Sequence, residues 1–140
     1  MEDFLAKHSI STKIQVAWGE MDALQHVNNS VYFKYFETAR LDFFHQINLL
    51  ADLKTTGVGP VLSETNARFK RPLTFPDSII VGIKISDITE DRFVMHYTVF
   101  SQAQQSVTTQ GWAKVVMFNF KTGQKAKLTP ELLAALSKHQ

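Results

Sequence analysis

One segment limits the folds open to this chain more than any other. From about Ser30 to about Leu50 the sequence carries a single long helical pattern. At 100° per residue, Tyr32, Phe36, Ala39, Phe43, Ile47 and Leu50 fall on one side; Lys34, Glu37, Thr38, Asp42 and His45 cluster on the other. Phe33, Tyr35 and Phe44 widen the apolar arc, which predicts a helix enclosed over most of its circumference. Asn28 or Asn29 can cap its start through a side-chain oxygen. Gly57 and Gly59-Pro60 turn the chain after it.

Almost everything else reads with period two. Thr12 to Trp18 places Ile14, Val16 and Trp18 on one face. Val61 to Phe69 alternates Val61, Ser63, Thr65, Ala67 and Phe69 against Leu62, Glu64, Asn66 and Arg68. Ile79 to Ile85, Phe93 to Phe100 and Val107 to Phe120 continue the pattern, with Gly111 expected to mark a bulge. Polar turns separate the last three strands, and Thr129-Pro130 opens a short closing helix to Lys138. Short links between strands imply antiparallel pairing. The elements predict an α+β fold: a curved antiparallel sheet of about five strands around one central helix. Such a sheet has open edges, and pairing of two copies through them is expected, giving at least a dimer.

At 140 residues the chain, 1–140, is expected to be a single domain. It has no cysteine, so disulfides, thiolate metal sites and a cysteine nucleophile are excluded, and the composition suits a reducing cytosol. A net charge of +2 without basic runs gives no support to a nucleic-acid partner. No apolar run approaches a membrane span, and MEDFLAKHSI lacks the apolar centre of a signal peptide. These readings place the protein in the cytoplasm, off the membrane.

The chemistry concentrates just before the helix. Asp22 can act as a general base or as a nucleophile, and it precedes a helix start whose first N–H groups can bind a developing oxyanion. An aspartate in a turn also commonly caps local N–H groups, so both roles stand. His26 can orient the carboxylate, hold a water or simply bond to the loop. Glu20, Asp22 and His26 make only a weak metal set without a second histidine or a thiolate. Glu37 and Arg40, three apart, are expected to pair as a structural unit. Serine-elbow, P-loop, dinucleotide and zinc-protease motifs are absent.

The stretch WGEMDALQHVNNSVYFKYFETAR, residues 18–40, resembles the signature of hotdog-fold acyl-CoA thioesterases of the 4-hydroxybenzoyl-CoA thioesterase type. The downstream ARFKRPLTFPD is similar to that family's second landmark. The resemblance implies a hotdog fold, dimers or tetramers with active sites at the dimer interface, and hydrolysis of an acyl-CoA thioester without a cofactor, coenzyme A being part of the substrate. It implies Asp22 as nucleophile or general base, with its carboxylate near Asn29, Ser30 and Val31 at the helix start. His26, Asn28 and Asn29 match the family's His-Val-Asn-Asn and are implied to shape the loop and the water site. A glutamate on the helix serves instead in some enzymes of the wider fold, which keeps Glu37 in view. Gln25 departs from the glycine common at its position. Arg68, Lys70 and Arg71 are candidates for the coenzyme A phosphates. The alternatives are an acyl-carrier-protein thioesterase or a hotdog protein that binds acyl-CoA without cleaving it.

Overall fold

The computed structural model describes residues 1–140. Its elements run α1 (Glu2–Lys7), β1 (Ile10–Gln15), a 3-10 turn (Trp18–Glu20), α2 (Asn29–Gln46), α3 (Leu53–Thr56), β2 (Val58–Phe69), β3 (Ser78–Ser86), β4 (Arg92–Ser101), β5 (Ser106–Asn119), β6 (Gln124–Lys125) and α4 (Pro130–Ser137). The antiparallel sheet has the order β1-β3-β4-β5-β2, with the short β6 added to β5. This is the expected α+β hotdog arrangement, a long helix against a curled sheet. No helix is long and apolar enough to cross a membrane.

The core lies between α2 and the concave sheet face. From the helix come Tyr32, Tyr35, Phe36, Ala39, Phe43 and Phe44, all buried. They meet Ile79, Val81, Ile83 and Ile85 of β3, Met95, Tyr97 and Val99 of β4, and Ala113, Val115 and Met117 of β5. Phe36 stacks on Tyr97 with ring centroids 4.6 Å apart and planes 7° from parallel. Gly111 faces this stack: a Cβ there would lie 2.7 Å from the Phe36 ring and press on the Asn66 carbonyl. The glycine therefore marks close approach of helix and sheet, not the expected bulge. The irregularities fall elsewhere, between Val99 and Phe100 opposite β5 and between Leu62 and Glu64 in β2. The second brings Leu62 onto the inner face with Thr65, Ala67 and Phe69, against the simple alternation read from the sequence.

Other departures have clear causes. The helix is buried along one face only; Phe33 and Leu41 are exposed on the other, because a single curled sheet covers one side of a cylinder. Trp18 does not continue β1 but turns outward in the 3-10 turn, 75% exposed. Gly57 does end the helical region, with φ +78° at the cap of α3. Gly59-Pro60 instead lies within β2, an edge strand, where proline's missing N–H is tolerated. β2 does not pair with β3: the link 70–77, carrying Pro72 and Pro76, crosses from one edge of the sheet to the other side of β4. Sequence reading missed α1, whose Phe4 packs on Ile80 and Phe100 over the outer sheet face.

The chain end is latched to the first strand region. His139 accepts the Ile85 N–H through its carbonyl, pairs its Nδ1 with the Ser9 hydroxyl at 2.8 Å, and sets its ring edge-on to Phe43. Burial, and then the nearby Lys138 charge, hold this imidazole below the usual histidine value. The fold thus favours the neutral ring. As pH falls through the ordinary histidine value of about 6.5, the unfolded chain takes up the proton first and native stability drops. Denaturant midpoints are expected to fall from about pH 7.5 to about pH 5.5, and His139→Gln should flatten that slope; an unchanged slope would place the effect on another group. Gly111→Ala should cost about 1–3 kcal/mol in the same unfolding measurement, because neither the Asn66 backbone nor the stacked Phe36 can retreat freely.

Candidate active site

Glu20, Asp22, His26 and the two asparagines lie on one loop, and the loop is closed by its own backbone. Met21 and Val27 form an antiparallel bridge. Inside it, Asp22 N–H donates to the His26 carbonyl at 2.8 Å and Gln25 N–H to the Asp22 carbonyl at 3.0 Å. This tight turn needs a left-handed residue before His26, and Gln25 takes it with φ +63°. The family's glycine would adopt that conformation freely; a residue with a Cβ holds it at a cost of about 1–2 kcal/mol. The turn is thus kept despite the substitution.

Two anchors fix the loop to the fold. Val27 N–H donates to the Leu73 carbonyl, and Leu73 N–H donates to the Tyr32 hydroxyl at 3.1 Å. Glu20 ties the other side: its Oε1 accepts from Ala17 N–H and from the Tyr35 hydroxyl, both at 2.7 Å, and its carbonyl accepts from Asn28 N–H. Burial, then the bond to Glu20, push the Tyr35 hydroxyl well above the usual tyrosine value, so it remains a donor at any physiological pH. Glu20 is thereby a structural tether. No group of three or more histidines, aspartates and glutamates comes together as a set that could hold a metal ion.

Asp22 has one engaged and one free oxygen. Oδ1 accepts from Leu24 N–H at 2.8 Å and weakly from His26 N–H at 3.4 Å. Oδ2 has no partner within the chain. The carboxylate is half-buried and borders two cavities. One, about 400 Å³, also takes in His26, Asn29, Tyr32, Phe69, Lys70 and Arg71. The other, about 600 Å³, is bounded by Trp18, Met21, Thr74 and Phe75.

The helix start offers fewer donors than its sequence implies. Asn28 Oδ1 takes the Ser30 N–H at 3.0 Å and the Ser30 hydroxyl at 2.9 Å, and the Asn28 carbonyl takes the Val31 N–H. That leaves the Asn29 N–H without a partner, and Asn29 borders the cavity with Asp22. The structure therefore brings together Asp22, His26, Asn29, Lys70 and Arg71. Asn28 acts as the helix cap, while Ser30 and Val31 lie in the first turn with their N–H groups engaged. Arg68 is separated from its neighbours: strand alternation sends it to the outer sheet face, in a groove with His96, Gln110 and Trp112. Glu37 is exposed; it stands 3.9 Å from Arg40, whose Nη1 donates to the Tyr97 hydroxyl at 3.1 Å. Both border a third cleft, which contains neither Asp22 nor the loop. Trp18 and Tyr32, which the sequence places on apolar faces, also border these cavities, as does Phe75, which no sequence pattern marks.

Comparison with known proteins places this geometry in context. The Escherichia coli long-chain acyl-CoA thioesterase FadM is 21% identical over 123 residues, 88% of this chain and 93% of FadM. The uncharacterized Bacillus subtilis protein YsmA is 24% identical over 96 residues, 69% of this chain but only 64% of YsmA's length. Among solved structures, a putative thioesterase of Pseudomonas aeruginosa, PA2801, superposes with a TM-score of 0.82 at 25% identity, covering 91% of this chain and 97% of that one. A DHNA-CoA thioesterase from Staphylococcus aureus has the same fold, with a TM-score of 0.82, 22% identity and coverage of 92% and 89%. The family model described as the thioesterase-like superfamily matches residues 16–136, from the end of the first strand through the closing helix, and the chain belongs to that superfamily.

Proposed function

We propose that this protein hydrolyses acyl-CoA thioesters to the free acid and coenzyme A, with Asp22 as nucleophile or general base and the Asn29 N–H as oxyanion donor. The observation that carries this reading is a carboxylate with one anchored and one free oxygen, in a cavity also bordered by Asn29, the first residue of an 18-residue helix and one whose N–H is unpaired. The anchored oxygen fixes the carboxylate's orientation; the free one is available to the reaction. The positive end of the helix dipole stabilises negative charge on the thioester oxygen as it develops. As a base, Asp22 takes a proton from water while the water oxygen bonds to the carbonyl carbon. The carbon–sulfur bond then breaks, and the proton passes to the departing thiolate. As a nucleophile, Asp22 bonds to the carbonyl carbon and expels the thiolate, and water hydrolyses the mixed anhydride. In single turnover in ¹⁸O-water, label in the aspartate identifies the second route, with water attacking the Asp22 carbonyl of the anhydride.

Lys70 and Arg71, in the same cavity, suit the phosphates of coenzyme A. His26 holds the Asp22 turn and borders the same cavity. Within the superfamily the reading is of the 4-hydroxybenzoyl-CoA type, because the loop-to-helix stretch 18–40 carries that signature. The cysteine-free composition suits a cytoplasmic setting. Asp22→Asn keeps an acceptor oxygen for the turn but removes the base. It is expected to lower kcat on the best substrate of an acyl-CoA panel by about 10²-fold or more; near-wild-type turnover would sink the mechanism. The same panel presented on an acyl carrier protein distinguishes that carrier from coenzyme A.

We further propose that the protein works as a homodimer or homotetramer built through the free edge of β2. That edge is twelve residues long, its outer side has no strand beside it, and Leu62 and Phe69 are exposed on it. Phe33 and Leu41, on the open side of α2, would be covered by the same partner. Light scattering at micromolar concentration is expected to return a dimer or tetramer mass, and a monomer would count against this assembly.

A further inference from the structure

Away from Asp22, one largely buried cation stands without a close counter-charge. Arg40, on α2, has a side chain only 11% exposed, and its Nη1 donates to the Tyr97 hydroxyl at 3.1 Å. Tyr97 does not neutralise it: burial, outweighing the pull of Arg40, holds that hydroxyl above the usual tyrosine value, so it stays uncharged. The Glu37 carboxylate lies 3.9 Å from Nη2, beyond hydrogen-bond reach, and is 61% exposed, so the pair contributes little. Nε and Nη2 donate to no group in the chain, yet neither is sealed inside it. A guanidinium stays charged, and a buried charge in this state is costly until an anion completes it.

The open donors belong to the third cleft, of about 390 Å³. Its apolar walls include Leu41 and Phe44 of α2, Leu50, Leu53 of α3, Leu62 of β2, and Phe120 just after β5. Glu37 and Arg40 are its only charged residues, and it shares no residue with either cavity at Asp22. We infer that this cleft is a second ligand site, taking an aliphatic carboxylic acid in its free form, with the carboxylate on Arg40 and the chain along the leucines and Phe120. An apolar pocket with a single orienting cation selects a ligand of the same polarity pattern. The planar guanidinium fork meets a carboxylate through paired, parallel N–H···O bonds, and these gain strength where water is excluded. A thioester is a poor occupant: its carbonyl brings no charge to Arg40, and the coenzyme A phosphates would find no further cation here. The site stands independently of the hydrolase reading. A second copy on β2 would cover Leu41 and Leu62, so a carboxylate of that copy is the rival occupant.

Titration calorimetry of the full chain with decanoate and decanol tests this. Wild type is expected to bind decanoate about tenfold or more tighter than decanol. Arg40→Met keeps the bulk of the stem and should erase that preference, weakening decanoate while leaving decanol within about threefold. Arg40→Lys, a point charge without the fork, should retain part of it. Glu37→Gln removes the like charge at the rim and should tighten decanoate about two- to threefold. If Arg40→Met does not fold, the wild-type preference and the Glu37→Gln effect still decide. No binding of decanoate, equal affinity for decanol, or unchanged decanoate affinity in a folded Arg40→Met would overturn the site. So would a lower oligomer mass for Arg40→Met in light scattering, which assigns Arg40 to a carboxylate of the second copy. None of these readouts needs turnover. Failure here leaves thioester hydrolysis standing, and a wild type that cleaves no thioester leaves the decanoate result standing.

Discussion

The contact between α2 and the concave sheet face is the constraint on which the other parts depend. Helix and sheet approach closely enough for Phe36 to stack on Tyr97, and that approach exists because residue 111 has no side chain. Around it the helix buries six large or small apolar residues at helical spacing, and three strands answer with period-two positions. Dispersion and removal of apolar surface from water both favour this packing, and both fall off quickly if the surfaces separate. The helix axis is thereby fixed. Its N-terminus, which carries the unpaired Asn29 N–H, is fixed with it.

The site is a consequence of that fixed axis. Tyr32 and Tyr35 are core residues by burial, yet each sends a hydroxyl outward to the segments that hold the Asp22 loop. Tyr32 reaches the backbone of Leu73, which in turn bonds to Val27; Tyr35 reaches Glu20, which bonds to Ala17 and Asn28. The carboxylate is thus referenced to the core through two short chains of hydrogen bonds. A buried hydroxyl without its partner is costly, so loosening the loop would also penalise the core. Placement of the Asp22 carboxylate and stability of the helix packing are coupled in this way. The strained conformation of Gln25 persists because these bonds over-determine the turn.

Much of this was legible in the sequence, and the exceptions follow a pattern. The helix, the four main strands, the closing helix and the Asn28 cap are encoded locally by periodicity and cap chemistry, and they appear within a few residues of where the sequence places them. What sequence could not give was relation between segments. The partner of β2 depends on where the 70–77 link travels, which no local pattern records. Gly111 reads as a bulge because glycine in a strand often is one; only the Phe36 ring above it shows otherwise. Arg68 and Arg71 look equivalent in the sequence, yet strand alternation and the end of β2 send them to different sides of the sheet. The Asp22 loop stands out by its residue types and its resemblance, whereas the alternation from Thr12 to Trp18 assigns Trp18 to a buried face from which the structure turns it outward.

Trp18 faces water for a reason that lies in its local backbone. An aromatic residue that continues an alternating pattern and yet faces water has been turned out by its local backbone. At Trp18 the agent is the 3-10 turn, closed by Glu20, which ends β1 early. The same Glu20 receives the Tyr35 hydroxyl and the Asn28 N–H, so one carboxylate residue both exposes Trp18 and secures the segment carrying Asp22. The exposed ring and the loop carrying the Asp22 carboxylate are therefore held by a common tether. A surface chosen only for stability would place Trp18 inside, where its large apolar area is removed from water. Its outward position instead leaves a large ring in water at the rim of a cavity that Asp22 also borders.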